Sequence, residues 1–400
     1  MRGHEETMQT IARGRLESID FLRGVAAFMV VVCHAASYGD FTTISDSWFQ
    51  NVVYLLSQGH LGVPLFFVIS GFCIHAQWSK KFEISRSVGF DFRAFWKRRL
   101  VRLYPPYLVA LCISMGLMVV ALYMEKSIGL LEIYPERSVL WLGLDFVSHV
   151  FMLHGFHPVF DTGGGNSVYW TLAREEYLYA LYFVILLFRR RLSMFAINVI
   201  ILSISLGAYA WAFQSMADSD CYRILRTSVA VLWIQWSLGC SSVEDHLGIV
   251  KLPKVFFMLG WVPVFLVAPY FLQGIFTVCG PALTGVGFWI LLNYCVRRER
   301  EGTWPKHAFF KWWSKVGIFS YSLYLFHYPA IGIAKQLMGP LTRTTHPWMY
   351  LVNVAILTGV GYGAGKLFFY AVERHFLRPS DSKNTRADEV PPVGEPALLK

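Results

Sequence analysis

Long apolar runs of nearly twenty residues follow one another along most of the chain, separated by short polar segments. A helix needs about 20 apolar residues to cross a bilayer, so the pattern predicts an all-α, polytopic transmembrane helix bundle of about ten spans. The stretch 139–156 is interrupted by Asp145, His149 and His154, and we interpret it as a short or re-entrant helix on the outer side. The predicted spans cover about 21–38, 60–78, 104–124, 168–188, 192–212, 226–241, 254–271, 274–296, 315–334 and 348–370.

Composition and charge support a membrane protein. Of the 400 residues, 55% are hydrophobic and only 16% are charged, against about 25% in a typical soluble domain. With ten spans and a cytoplasmic N-terminus, the inner loops hold 19 Lys and Arg and the outer loops hold 5. This asymmetry follows the positive-inside rule, so the net charge of +10 indicates membrane orientation and not nucleic acid binding. An eleventh span at 139–156 would place Arg189, Arg190 and Arg191 outside, and we reject it.

The chain divides into one membrane domain with two polar ends. Residues 1–18 are predicted to be a cytoplasmic N-terminal segment, and residues 19–378 form the transmembrane domain. Residues 379–400 are rich in Pro, Ser, Glu, Asp and Lys, which predicts a disordered cytoplasmic tail. The seven cysteines lack paired spacing and lie mostly in apolar segments, which favours small buried residues over disulfides or a metal site.

The first span carries two polar residues that apolar helices rarely tolerate. Arg23 and His34 are eleven residues apart, about 16 Å along a helix. His34 is either a histidine hydrogen-bonded between helices or a general base, because imidazole titrates near neutrality. Arg23 is either an anchor that reaches lipid phosphate or a fixed cation at the inner mouth of a cavity.

The polar residues near the second and third spans have two interpretations each. Arg99 and Arg102 share one helix face, so they either belong to the positive charge of an inner loop that contacts lipid headgroups or bind an anionic ligand through their guanidinium groups. Ser70 precedes Gly71 inside an aromatic run, which indicates close helix packing or a gap for a thin, elongated ligand.

Two later spans add further candidates. Glu175 enters the fourth span just after Trp170, and such a carboxylate can orient an imidazole or hold a sugar hydroxyl. His327 lies in the ninth span, where a structural and a functional role are equally compatible with the pattern. The remaining histidines show no metal-ligand spacing, and no metal is predicted.

Together these motifs resemble the acyltransferase family 3 membrane proteins, which O-acylate carbohydrates and other extracytoplasmic acceptors. Five elements occur in the family's order over about 20–375, nearly the whole chain. Thr171 stands where the family usually has Ser, a conservative change of hydroxyl. The matching elements are Asp20-Phe21-Leu22-Arg23-Gly24 with His34, Phe66–Phe72, Arg99-Leu100-Val101-Arg102, Trp170–Glu175, and Ser320–Pro329.

The resemblance implies transfer of an acyl group, most commonly acetyl, from cytoplasmic acyl-CoA to a hydroxyl of an extracytoplasmic carbohydrate or lipid-linked glycan. His34 would then be the base, and Glu175 would orient His34 or the acceptor, with both residues deep and toward the outer face. The predicted donor site is Arg23, Arg99, Arg102 and Ser70, and the predicted acceptor contacts are Trp170 and His327.

The expected partners are acyl-CoA, the glycan and membrane lipids, without nucleic acid or a permanently bound cofactor. The expected location is the bacterial inner membrane with both termini cytoplasmic. A covalent acyl-enzyme intermediate, the acyl group, the acceptor and the oligomeric state stay open. The alternatives are a transporter or flippase for a glycan or lipid-linked sugar and a non-catalytic membrane interaction protein.

Overall fold

The described part of the chain is mainly helical, with no strand among the described residues. This computed structural model describes residues 16–38, 47–85, 91–123, 139–156, 160, 165–214, 222, 224–225, 227–250, 252, 279–339 and 346–377. The α-helices are α1 (Glu17–Ser37), α2 (Ser47–Ser57), α3 (Gly62–Ser85), α4 (Phe92–Tyr123), α5 (Val139–Val150), α6 (Trp170–Arg189), α7 (Met194–Gln214), α8 (Val229–His246), α9 (Gly280–Arg300), α10 (Ala308–Ile318), α11 (Ser320–Met338) and α12 (Pro347–Ala371). Short 3₁₀ helices cover Gln58–Leu61, His154–Phe156, Ser167–Tyr169 and Glu373–His375.

Several of these helices have the length and composition of membrane spans. Within the described ranges, five helical stretches qualify, and a sixth does if α10 and α11, which meet at 75°, form one broken span. The prediction of an all-α membrane bundle is confirmed. The predicted spans 168–188, 226–241 and 274–296 correspond to α6, α8 and α9, which are helical but more polar than those that qualify. The predicted span 254–271 lies outside the described residues, as do residues 1–15 and 378–400 at the predicted ends.

Three predicted boundaries need correction. The predicted outer loop 39–59 contains α2, and the predicted inner loop 297–315 contains most of α10. Both helices have only 11 residues, too few for the apolar run that identifies a span. The third span was predicted to begin at residue 104, but α4 begins at Phe92. Its first turns are rich in Arg and Lys, which favour helix while lowering the hydropathy.

The first span lies at the centre of the bundle. Leu22 belongs to a core formed mainly by α3, α6, α8 and α9. Val30 belongs to a second core with α4, α5 and α11, and Val31 to a third with α2, α11 and α12. Because α1 contributes to each of these cores, the helix that carries Arg23 and His34 is surrounded by other helices, while both side chains remain partly exposed.

Glycines allow α3 and α8 to approach closely. A Cβ on Gly71 would lie 1.9 Å from the carbonyl oxygen of Trp236, and one on Gly239 would lie 2.0 Å from that of Val68. Such contacts between backbones require residues without a side chain, as is common where membrane helices cross. The sequence interpretation of Ser70-Gly71 as a close-packing element is consistent with this geometry.

We therefore expect Gly71→Ala to destabilise the protein. The added methyl group has only backbone to displace, and overpacking of this kind costs about 1–3 kcal/mol or more. The thermal midpoint in detergent should fall by several degrees, with less monodisperse protein recovered. Gly207→Ala in α7 is the matched control, because its Cβ meets nothing within 4 Å among the described residues. Equal midpoints for the two variants would contradict the packing argument.

Candidate active site

The structure pairs the two predicted histidines. His34 lies near the C-terminal end of α1, and its Nδ1 is 2.8 Å from Nε2 of His327 in α11. The two rings are nearly parallel, 8° apart, and the edge of Tyr328 packs against His34. His327 is fully buried, whereas His34 is partly exposed. The pair therefore has one anchored ring and one accessible ring.

The position of His327 depends on a break in the helical hydrogen bonding of α11. Pro329 has no N–H, so the carbonyl of Leu325 lacks its usual helical donor. Asn166 supplies the missing donor through its side-chain nitrogen, at 3.0 Å. The hydroxyl groups of Thr171 and Tyr324 add a second link of 2.7 Å between α6 and α11. The Thr that replaces Ser in the fourth-span motif thus helps to fix the histidine-bearing helix.

A second polar cluster surrounds Glu175. Its Oε1 accepts hydrogen bonds from Ser70, at 2.7 Å, and from Tyr179. Ser70 in turn accepts a hydrogen bond of 3.2 Å from the indole nitrogen of Trp236. The guanidinium of Arg99 lies over the Tyr179 ring, 4.3 Å from its centroid. Residues from α3, α4, α6 and α8 therefore meet at one carboxylate.

The three predicted arginines belong to one electrostatic cluster. Arg102 interacts with the charges of Arg23, Arg99 and Glu373. Arg23 also interacts with the charge of Glu175, which links the arginines to the carboxylate cluster. Arg23 on α1 and Arg99 and Arg102 on α4 are therefore close enough for their charges to interact.

Glu373 is a site residue that sequence reasoning missed. It is buried, and its carboxylate accepts hydrogen bonds from the backbone N–H, at 3.0 Å, and the hydroxyl of Ser322. This contact caps the first turn of α11, where the helix dipole favours an anion. The available signal was a carboxylate immediately after the last apolar run, next to a cluster of inner-face arginines.

The placement of Glu175 beside His34 is a sequence expectation that requires correction. A Cβ on Gly62 would lie 2.3 Å from the Ala26 carbonyl oxygen, so α3 starts at the middle of α1. Ser70 lies eight residues farther along α3, about 12 Å toward the Arg23 end of α1. Because Glu175 accepts from Ser70, it lies near the arginines at that end, and the imidazole partner of His34 is His327. The sequence could not reveal this, because it does not set the relative heights of α1 and α3.

The two predicted acceptor contacts occupy different environments. Trp170 opens α6, is half-buried and packs against the core of α3 and α8. His327 has both ring nitrogens engaged, one with His34 and the other with the Leu323 carbonyl oxygen. No nitrogen of His327 is therefore left to contact an acceptor.

Comparison with known proteins identifies the family of the chain. The model of acyltransferase family 3, which describes an acyltransferase domain, matches residues 16–363. The chain belongs to this family. It is an integral membrane protein whose apolar helices surround a histidine pair and an arginine–carboxylate cluster.

Similarity to individual proteins is partial. The chain is 25% identical to the O-acetyltransferase OatA of Staphylococcus aureus over 181 residues, 43% of this chain and 25% of that protein. It is 29% identical to the acyltransferase MdmB of Streptomyces mycarofaciens over 166 residues, 41% of this chain and 38% of that protein. The chain thus spans less than half the length of these relatives. No solved structure matches it.

Proposed function

We propose that this protein transfers an acyl group, acetyl in the first instance, from acyl-CoA at the cytoplasmic face to a hydroxyl of an extracytoplasmic carbohydrate or lipid-linked glycan. The observation that carries the proposal is the partly exposed His34, paired with a buried imidazole near the end of α1 opposite Arg23 and the arginine cluster. The location would be the bacterial inner membrane, with both termini cytoplasmic. The names of the relatives, an O-acetyltransferase and an acyltransferase, support the same reaction class.

The arginine cluster supports an anionic donor such as acyl-CoA. The guanidinium group grips phosphate oxygens with two N–H groups in a fixed geometry. Arg102 is exposed, and the buried Nε of Arg99 has no hydrogen-bond partner among the described residues. An unpaired buried donor is costly, and a phosphate would satisfy it. The donor phosphates would thus lie near the inner ends of α1 and α4, with the pantetheine arm directed toward His34.

A cavity of about 160 Å³ supports an acceptor site next to the aromatic neighbours of His34. Tyr38 and Tyr328 line this cavity, and the Tyr328 ring packs against the His34 imidazole. Asn166 and Gln336 add amide groups, while Leu117 and Met118 are among the apolar lining residues. Aromatic faces combined with a few amides suit a sugar ring attached to an apolar carrier.

In the proposed reaction, His34 removes the proton from the acceptor hydroxyl as its oxygen attacks the thioester carbonyl. The new carbon–oxygen bond forms, the carbon–sulfur bond breaks, and His34 returns the proton to the departing thiolate. Glu175 is too far toward the inner side to orient His34 directly. We assign it, with Ser70 and Tyr179, to the wall that positions the donor next to the arginines.

The test is release of CoA thiol from acetyl-CoA by membranes containing the protein, together with base-labile acetyl groups in the carbohydrate fraction. We expect both signals to depend on the protein and to rise together. A transporter or flippase would move glycan without consuming acetyl-CoA. Glycan transport at an undiminished rate without acetyl-CoA, with no thiol release, would overturn the proposed function.

A further inference from the structure

His327 makes a contact that determines where its own proton lies. Its Nδ1 is 2.8 Å from the carbonyl oxygen of Leu323, one turn earlier in α11. A carbonyl oxygen only accepts, so Nδ1 of His327 carries the proton in this contact. The ring is fully buried, and burial disfavours a charged group. The neutral ring therefore keeps a lone pair on Nε2.

That lone pair determines the tautomer of His34. Nδ1 of His34 is 2.8 Å from Nε2 of His327, which can only accept. Nδ1 of His34 must therefore donate, and the lone pair of a neutral His34 lies on its Nε2. This is the ring with partial exposure, so the unprotonated nitrogen is on the imidazole that an acceptor hydroxyl can reach.

The Leu323 carbonyl group, which ends this chain of hydrogen bonds, belongs to a tightly packed segment of backbone. Leu323 is fully buried, and a Cβ on Gly365 of α12 would lie 2.6 Å from the Leu323 Cα. The backbone that supplies the carbonyl is thus packed directly against a neighbouring helix. The links from Asn166 and Thr171 hold the same part of α11 from the other side.

We propose that His327 is a positioning residue, which holds His34 in the Nδ1–H tautomer and so presents Nε2 as the general base. This inference rests on the proposed function, and it assigns His327 a role in place of the acceptor contact expected from sequence. When Nε2 takes the acceptor proton, the Nδ1–H bond to His327 persists and stabilises the imidazolium. The electron pair of the acceptor O–H bond forms the new ester bond.

A pair of variants at this position separates positioning from packing. In His327→Gln the side-chain carbonyl can accept from Nδ1 of His34, whereas His327→Leu offers no acceptor. Partners that fix an imidazole typically account for about 10–100-fold in function. We expect His327→Leu to lower kcat by about that factor with nearly unchanged KM for both substrates, and His327→Gln to recover most of kcat. Equal losses in the two variants, or full activity of His327→Leu, would overturn the inference.

A spectroscopic measurement keeps this inference distinct from the proposed function. In protein with ¹⁵N-labelled histidine in nanodiscs, His34 is assigned by the signals that His34→Gln removes. We expect a protonated Nδ1 and an unprotonated Nε2 in the wild type, and a mixture of tautomers in His327→Leu. A protonated Nε2 in the neutral wild-type ring would overturn the positioning role, even if acyl transfer is measured. The expected spectra without any acyl transfer would instead contradict only the proposed function.

Discussion

Replacement of His34 by alanine should reduce acyl transfer by about 10²–10⁴-fold, the usual contribution of a positioned general base. The variant retains α1 but has no group to take the proton from the acceptor hydroxyl. Because the ring is partly exposed and its neighbour Tyr328 lines a cavity, its loss should affect kcat far more than folding. The measurement is the rate of acetyl transfer in membranes, at expression levels matched by immunoblot.

The matched control for this variant is His307→Ala. His307 is an exposed histidine before α10, outside the proposed site. The His307→Ala variant should retain the wild-type rate of acetyl transfer. That result would exclude a general effect of removing an imidazole from the chain. If His34→Ala transferred acetyl at the wild-type rate, the assignment of His34 as the base would be wrong.

The double substitution Arg99→Ala plus Arg102→Ala should weaken the use of acyl-CoA specifically. Hydrogen bonds to charged groups contribute about 1.5–3 kcal/mol each, and every 1.4 kcal/mol is about tenfold in affinity. We expect the KM for acetyl-CoA to rise by about 10–100-fold or more, with a much smaller change in the KM for the acceptor. The measurement is the initial rate at varied acetyl-CoA concentration and fixed acceptor concentration, followed by the initial rate at varied acceptor and fixed acetyl-CoA concentration.

Arg300→Ala provides the control for that experiment. Arg300 is an exposed arginine at the end of α9, on the same predicted inner side but outside the cluster. The Arg300→Ala variant tests whether loss of any basic charge on this side raises the KM for acetyl-CoA. Equal increases in the two KM values of the Arg99 and Arg102 double variant would count against a donor-binding role.

The helical class and the candidate residues could be predicted because apolar length and isolated polar residues are local signals. α2 and α10 were missed because they are short and half-exposed, so no apolar window of span length marks them. The bend between α10 and α11 depends on packing of α10 against α1, where a Cβ on Gly24 would lie 2.2 Å from the Trp313 carbonyl oxygen. Contacts of this kind depend on tertiary structure and leave no periodic pattern.

Which candidate residues contact one another was harder to predict than which residues are candidates. His34 and His327 are 293 residues apart in the chain, and nothing in either motif specifies that their rings meet. Glu175 was expected near His34, yet it is hydrogen-bonded to Ser70 and Tyr179 near the Arg23 end of α1. Under the proposed function, that end of the bundle would bind the charged donor and the opposite end would bind the acceptor.

The proposed reaction carries the acyl group from a cytoplasmic donor to an outer acceptor at His34. It is tested most directly with sealed inverted membrane vesicles, which expose the cytoplasmic face and enclose the cell's own envelope glycans. When [¹⁴C]acetyl-CoA is added outside, we predict base-labile label in the enclosed carbohydrate fraction with wild-type protein and almost none with His34→Ala. Equal labelling by the two proteins, or labelling of wild-type vesicles only after they are made leaky, would contradict the account.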